Sequence, residues 1–260
     1  MMQTVFVSPS PRLALSVAGD GDLVLFLHGI GGRRQNWDAQ LEFFSRDYRA
    51  AAWDARGYGE SEDYEGPLDF AVFSADLLRV LDHFGVHQAH VVGLSMGGRI
   101  ARNFALHHPE RVRSLVLANT SPGFGVMDAE QLHAFVEQRR KLDPQAQVKR
   151  LLGPSAPPQA YEKLVASLRA VHRESYLKTV EASTAQDLAA PIENIRVPTL
   201  VITSTADTLY PVRVAEDMAR RIPGARLVVI EGAGHLSNLE RPEEFNRAVA
   251  EFLRGLSKLI

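Results

Sequence analysis

The stretch from Ala89 to Ala105, AHVVGLSMGGRIARNFA, constrains the chain most. His90 to Leu94 is apolar and partly β-branched, the composition of a strand covered on both faces. Gly93 and Gly97 then flank Ser95 at G-x-S-x-G spacing, and Gly98 follows at once. A serine set between a buried strand and a helix stands on a sharp turn that strains its backbone. Small neighbours are needed there so that the helix can pass close to the strand. The turn also aims the first N–H groups of the new helix at whatever sits beside the hydroxyl, which suits a developing negative charge. Glycine and serine are common in loops, so the motif takes its weight from lying between a strand and a helix.

The other sheet elements follow from period and punctuation. Thr4 to Val7 and Leu13 to Val17 read as an antiparallel edge, and Gly19 to Asp22 as a turn. Leu23 to Leu27 is a buried strand running into His28-Gly29-Ile30-Gly31-Gly32. That loop reads either as a plain glycine turn or as half of an oxyanion hole through the N–H of Ile30. His28 reads as a structural hydrogen-bonding group. Arg33 to Phe44 has helical spacing at Trp37, Leu41 and Phe44, which makes Trp37 a core residue. Tyr48 to Trp53 is a strand. The Asp54 to Ser61 turn carries charges, Asp54 and Arg56, read as structural. Phe70 to Phe84 is an amphipathic helix, and the helix after Ser95 stops at His107-His108-Pro109. Adjacent helical histidines point apart, so this pair reads as helix-end cations and not as a metal site.

Val112 to Asn119 is the next strand. From Pro122 to Pro191 the chain turns rich in Gln, Arg, Lys, Ala and Pro, with helices expected over Asp128 to Lys141 and Pro158 to Val171 and no defensible strand. A helical insertion between two strands would cover the carboxyl edge of the sheet, with Gly153 to Pro158 dividing it as a hinge. The sheet resumes with Val197 to Ser204, then a helix over Val212 to Ile222, a strand over Ala225 to Ile230, and a final helix opened by Pro242. The alternation predicts an α/β fold with a mostly parallel, doubly wound sheet of about eight strands and an inserted helical cap. Residues 1–121 and 192–260 form the expected core, and 122–191 the cap.

Ser95, Asp207 and His235 fall just past three strand ends. A serine hydroxyl needs an imidazole to take its proton, and the imidazole needs a carboxylate to fix its tautomer and steady its cation. The order Ser, acid, His, with HGIGG at 28–32, DARGYGES at 54–61, GLSMGG at 93–98, HPERV at 108–112, the D-x-x-x-P of Asp207 to Pro211 and GAGHLSNLERPEEF at 232–245, resembles the α/β-hydrolase superfamily along nearly the whole chain. Within it the chain looks most like the 3-oxoadipate enol-lactonases and small carboxylesterases. The resemblance implies Ser95 as nucleophile, His235 as general base and acid, Asp207 as orienting carboxylate, and the N–H groups of Ile30 and Met96 as the oxyanion hole. Ser204 departs from the glycine that many relatives carry before the acid turn.

The expected activity is serine hydrolysis of a small ester or enol-lactone through an acyl-enzyme. On the same triad, a C–C hydrolase of vinylogous diketones or a haloperoxidase-like esterase are the alternatives, and a small-molecule sensor is the non-enzymatic one. The chemistry calls for no cofactor and no metal. With 260 residues, a net charge of −2 and no cysteine, the chain offers no electrostatic case for nucleic acid or a membrane, and no thiolate chemistry. No leader or membrane-length apolar run is visible, so the expectation is a soluble, cytoplasmic enzyme of a small-molecule substrate, with a homo-oligomer left open. A substrate carboxylate would find its partner among cap cations such as Arg139, Arg140, Arg169 and Arg173.

Overall fold

The computed structural model describes residues 1–123, 129–141, 144–184 and 191–257. Its strands are β1 (Gln3–Val7), β2 (Leu13–Ala18), β3 (Leu23–Leu27), β4 (Arg49–Trp53), β5 (Ala89–Leu94), β6 (Val112–Ala118), β7 (Thr199–Ser204) and β8 (Arg226–Ile230). They form one eight-stranded sheet in the order β1-β2-β4-β3-β5-β6-β7-β8. The pairs β1/β2 and β2/β4 are antiparallel and every other pair is parallel. The inner strands β3 and β5 are continuous buried runs because both faces are covered, whereas the edge strands β1 and β8 are partly exposed. Leu23, Leu25 and Leu27 of β3 and Val91 of β5 pack into one core, whereas Val24, Phe26, Val92 and Leu94 pack into the other. Each such side chain, removed fully from water, stabilises the fold by roughly 1.5–3 kcal/mol.

The helices α1 (Asp38–Phe44), α2 (Phe70–His83) and α3 (Met96–His107) lie in the first half. The expected helix from Arg33 begins as a 3-10 turn over Arg34–Trp37, and α1 follows. Between β6 and β7 stand α4 (Ala129–Arg140), α5 (Pro144–Leu151), α6 (Pro158–Arg169) and α7 (Arg173–Thr184), with no strand among the described residues of that interval. The expected start at Asp128 lies outside the described residues. The sequence reading missed α5 and α7. Tyr176, Leu177 and Val180 of α7 bury one small apolar stripe against Phe135 and Val136, a signal spread too thinly to stand out. The last helices are α8 (Val212–Arg221), the single turn α9 (Ser237–Glu240) and α10 (Pro242–Ser257). The first core lies under α2, α3 and α8, and the second under α1 and α10. Among the described residues no helix is long and apolar enough to cross a membrane.

The closest crossing is that of α3 over the sheet. A Cβ on Gly97 would fall into the Leu27 carbonyl, one on Gly93 into the Gly97 carbonyl, and one on Gly98 within 2.8 Å of the Thr120 Cβ. The clashes at Gly97 and Gly93 involve backbone atoms that cannot rotate away, so Gly97→Ala is expected to destabilise the protein by about 3 kcal/mol or more. Gly255 lies in the last turn of α10, where a new Cβ would meet only the Arg226 guanidinium at 3.4 Å. Gly255→Ala should therefore be neutral or stabilising, by up to about 1 kcal/mol. Urea unfolding of the two variants checks the contrast.

Candidate active site

Ser95 sits between β5 and α3 at φ 55°, ψ −116°, outside the backbone regions open to residues with a Cβ. Its amide donates to the Ala118 carbonyl at 2.9 Å, and its own carbonyl accepts from Thr120 Oγ1 at 2.7 Å and from the Arg99 amide at 3.1 Å. These bonds hold the strained residue, and Ser95 lines a pocket whose walls also include Ile30, Met96, Arg99, Tyr210 and His235. Met96 is the first residue of α3, so its N–H has no carbonyl one turn back within the helix. Ile30 follows Gly29, which approaches so near that a Cβ on it would stand 3.2 Å from the Ser95 Cβ.

Asp207 and His235 lie past the ends of β7 and β8. The Nδ1–H of His235 donates to Asp207 Oδ2 at 2.9 Å. The other oxygen, Oδ1, accepts the N–H groups of Leu209 at 2.9 Å and Tyr210 at 3.0 Å. Burial alone would raise the Asp207 carboxyl. Hydrogen bonding and charge from His235, with help from Tyr210 and Asn119, hold it below the ordinary aspartate range. The Tyr210 ring lies 5.5 Å from the imidazole, and burial raises its hydroxyl above the usual range. With Nδ1 committed to Asp207, the Nε2 of His235 is left to serve a partner in the pocket.

The remaining sequence-singled residues divide between support and lining. His28 donates from Nδ1 to the Gly29 carbonyl at 2.8 Å, while its Nε2 accepts the Ala55 N–H at 3.1 Å; burial lowers its pKa, so it is a neutral ring fixing a turn. Trp37 is 1% exposed and packs on Phe26 and Phe245, as a core residue would, yet it also borders the pocket. Asp54 is held by buried Arg34, whose amide donates to Oδ1 at 2.7 Å and whose guanidinium reaches Oδ2, and Arg56 pairs instead with Asp76 at 2.7 Å. Arg34 also binds Glu60 at 2.6 Å, so this cluster braces the HGIGG loop from below.

Arg99 and Glu240, like Asn119, were not foreseen. Arg99 follows Ser95 by one helical turn, a spacing that brings it to the same pocket. Glu240 ends α9, is 2% exposed, and accepts the N–H groups of Gly153 at 2.9 Å, Gly234 at 3.0 Å and Leu236 at 3.3 Å. In the mixed stretch HLSNLE its carboxylate carried no distinguishing sequence signal. Gly153 begins the segment expected to be a hinge. It is clamped, because a Cβ on Gly153 would come within 2.7 Å of the Gly234 nitrogen, and the N–H of His235 donates to the Leu151 carbonyl at 2.8 Å. The end of α5 is thereby bonded directly to the histidine loop. Among the described residues no group of three or more His, Asp or Glu could hold a metal ion.

A family model described as the alpha/beta hydrolase family matches residues 24–248. The 3-oxoadipate enol-lactonase 2 of Acinetobacter baylyi is 31% identical over 240 residues, covering 90% of each chain. A hydrolase from Pseudomonas aeruginosa superposes with a TM-score of 0.86 at 34% identity, covering 96% of this chain and 98% of that one. A thermophilic esterase from Thermogutta terrifontis, determined with malate bound, gives a TM-score of 0.87 at 28% identity, covering 98% and 99%.

Glu240→Ala leaves three buried N–H groups without their acceptor, so it should cost roughly 3 kcal/mol of stability, read as a lower urea midpoint. Burial raises the Glu240 carboxyl above its ordinary range despite those donors. Its folded form therefore holds a proton more readily than its unfolded form, and stability from this group grows as the pH falls through the raised value. The difference in urea midpoint between wild type and Glu240→Gln should move in favour of the wild type from about pH 7 to about pH 5.

Proposed function

Because this chain belongs to the alpha/beta hydrolase family and is a hydrolase of esters or lactones, we propose that it acts through an acyl-enzyme on Ser95. The observation that carries the reading is a strained serine sharing one pocket with an imidazole held on a buried carboxylate. In the first step Ser95 Oγ bonds to the substrate carbonyl carbon as its proton passes to His235 Nε2. The N–H groups of Ile30 and Met96 hold the oxyanion. His235 returns the proton to the leaving oxygen as the C–O bond breaks. Water then adds to the acyl carbon as its proton passes to His235, and His235 gives that proton to Ser95 Oγ as the acyl C–O bond breaks and the acid leaves. Asp207 keeps Nδ1 protonated and balances the imidazolium. Residues 1–121 and 192–260 serve as the catalytic core, and 122–191 as a cap, since Phe135, Arg139, Gln147, Leu151, Leu164 and Val180 of that segment border the pocket.

The substrate carries a negatively charged end beside its ester or lactone. Arg99 and Arg139 both border the pocket, and no Asp or Glu is among its described lining residues. Arg99, Arg139 and Tyr210 line the same pocket, which supports an anionic end of the substrate there. The Arg139 Nε is buried and has no hydrogen-bond partner among the described residues.

Ser95→Ala should lower turnover of p-nitrophenyl butyrate by about 1,000-fold or more while the thermal transition is kept. A folded Ser95→Ala protein with wild-type turnover overturns the acyl-enzyme reading, and a single burst without steady turnover in the wild type favours a sensor. Arg139→Gln should raise KM about fivefold to tenfold for the monomethyl ester of a dicarboxylic acid, while KM for the neutral dimethyl ester stays within about twofold. Equal changes for the two esters would count against an anionic substrate.

A further inference from the structure

Asn119 closes β6 at the carboxyl edge of the sheet, is 1% exposed, and adopts φ 43°, a left-handed conformation uncommon outside glycine. No part of the hydrolytic scheme above uses it. Its side-chain amide nevertheless reaches the reacting groups. Nδ2 donates to Asp207 Oδ2 at 3.0 Å and to Ser204 Oγ at 2.7 Å, while Oδ1 accepts from Ser237 Oγ at 2.5 Å. The direction of these bonds is fixed by chemistry. An ionised carboxylate only accepts, so the amide nitrogen must face Asp207 and the amide oxygen must face the Ser237 hydroxyl. Ser204, having accepted from Asn119, donates its own hydroxyl proton to the Gly234 carbonyl.

Taken together, the Asp207 carboxylate receives four donors: two backbone N–H groups on Oδ1, and on Oδ2 the imidazole and the Asn119 amide. Without Asn119, Oδ2 would keep the imidazole alone, and the plane of the carboxylate would be set by its turn only. Ser204 adds a second path, because its bond to Gly234 ties the end of β7 to the residue before His235. The base and its orienting acid are thus joined both directly and through Asn119 and Ser204.

We propose that Asn119 is a positioning residue for the hydrolytic reaction, fixing the Asp207 carboxylate against His235 with Ser237 orienting its amide and Ser204 extending the lock to the histidine loop. The inference rests on the Ser95, His235 and Asp207 reading, and acts through the acid without touching substrate. A merely structural Asn119 would satisfy buried groups and affect stability, whereas a positioning Asn119 governs how well the imidazole is held during turnover.

Purified full-length Asn119→Ala, Ser237→Ala and Ser204→Gly are compared with wild type and Ser95→Ala by steady-state hydrolysis of p-nitrophenyl butyrate, thermal unfolding and the low-field proton resonance of the His235 Nδ1–H. Asn119→Ala is expected to lower kcat about 30-fold with KM held within about threefold, and to shift or broaden the low-field resonance. Ser237→Ala and Ser204→Gly should each lower kcat about threefold to tenfold with the same split. A folded Asn119→Ala protein with kcat within about twofold of wild type and an unmoved resonance overturns the proposal. If Asn119→Ala does not fold, Ser237→Ala decides by the same two readouts, since it removes one hydrogen bond and no packing. An active Ser95→Ala protein sinks the acyl-enzyme reading instead, so the two failures are told apart.

Discussion

The close crossing of β5, β3 and α3 is the constraint on which the active region depends. Gly97 lies on the Leu27 carbonyl, and only that proximity allows the chain to turn within one residue at Ser95. The strain at Ser95 is local, while the forces that hold it are not. Its amide and carbonyl are bonded to Ala118 and Thr120, and hence to the far end of β6. The serine is presented by the edge of a fully packed parallel sheet, whose stiffness keeps the hydroxyl, the Met96 N–H and the HGIGG loop in one place.

Buried charge around this edge is handled in one consistent way. Asp207, Glu240 and Asp54 all lie out of water, and each carboxylate is met by several donors. Backbone N–H groups supply much of this, which suits loops that must stay polar yet dry. The outcome differs with the donor. Asp207, facing an imidazole, is drawn below the ordinary carboxyl range, whereas Glu240, met by amides alone and deeply desolvated, is pushed above it.

The sheet was legible because burial on both faces demands continuous apolar strands, and runs such as LVLFL at 23–27 or HVVGL at 90–94 admit little else. The three chemical residues were legible because each stands just past such a strand, at the edge where ligands bind in open α/β sheets. The helices between β6 and β7 were half legible. Amphipathic α6 shows its period, but the buried face of α7 mixes Tyr176, Leu177, Val180 and Ala182 with the hydroxyls of Ser175, Thr179 and Ser183, and α5 is too short to establish one. Asn119 and Glu240 were invisible for another reason. A polar residue at a strand end or in a short turn looks like any other loop residue until the chain brings its partners from positions up to 118 residues away. Trp37 illustrates the limit of a core-or-site choice, since one face of its ring can serve each.

The seam where Gly153 lies on Gly234 limits how the segment between β6 and β7 could be replaced. Because the Leu151 carbonyl holds the N–H of His235, and Glu240 binds Gly153 and Gly234 with the same oxygen, the inserted helices supply part of the scaffold of His235. Recombination junctions set at Pro122 and Pro191 would import a foreign carbonyl at this contact. A chimaera that preserves Leu151 to Gly153 together with the 232–240 loop keeps the His235 loop and the end of α5 as one unit, free to vary elsewhere in the insertion.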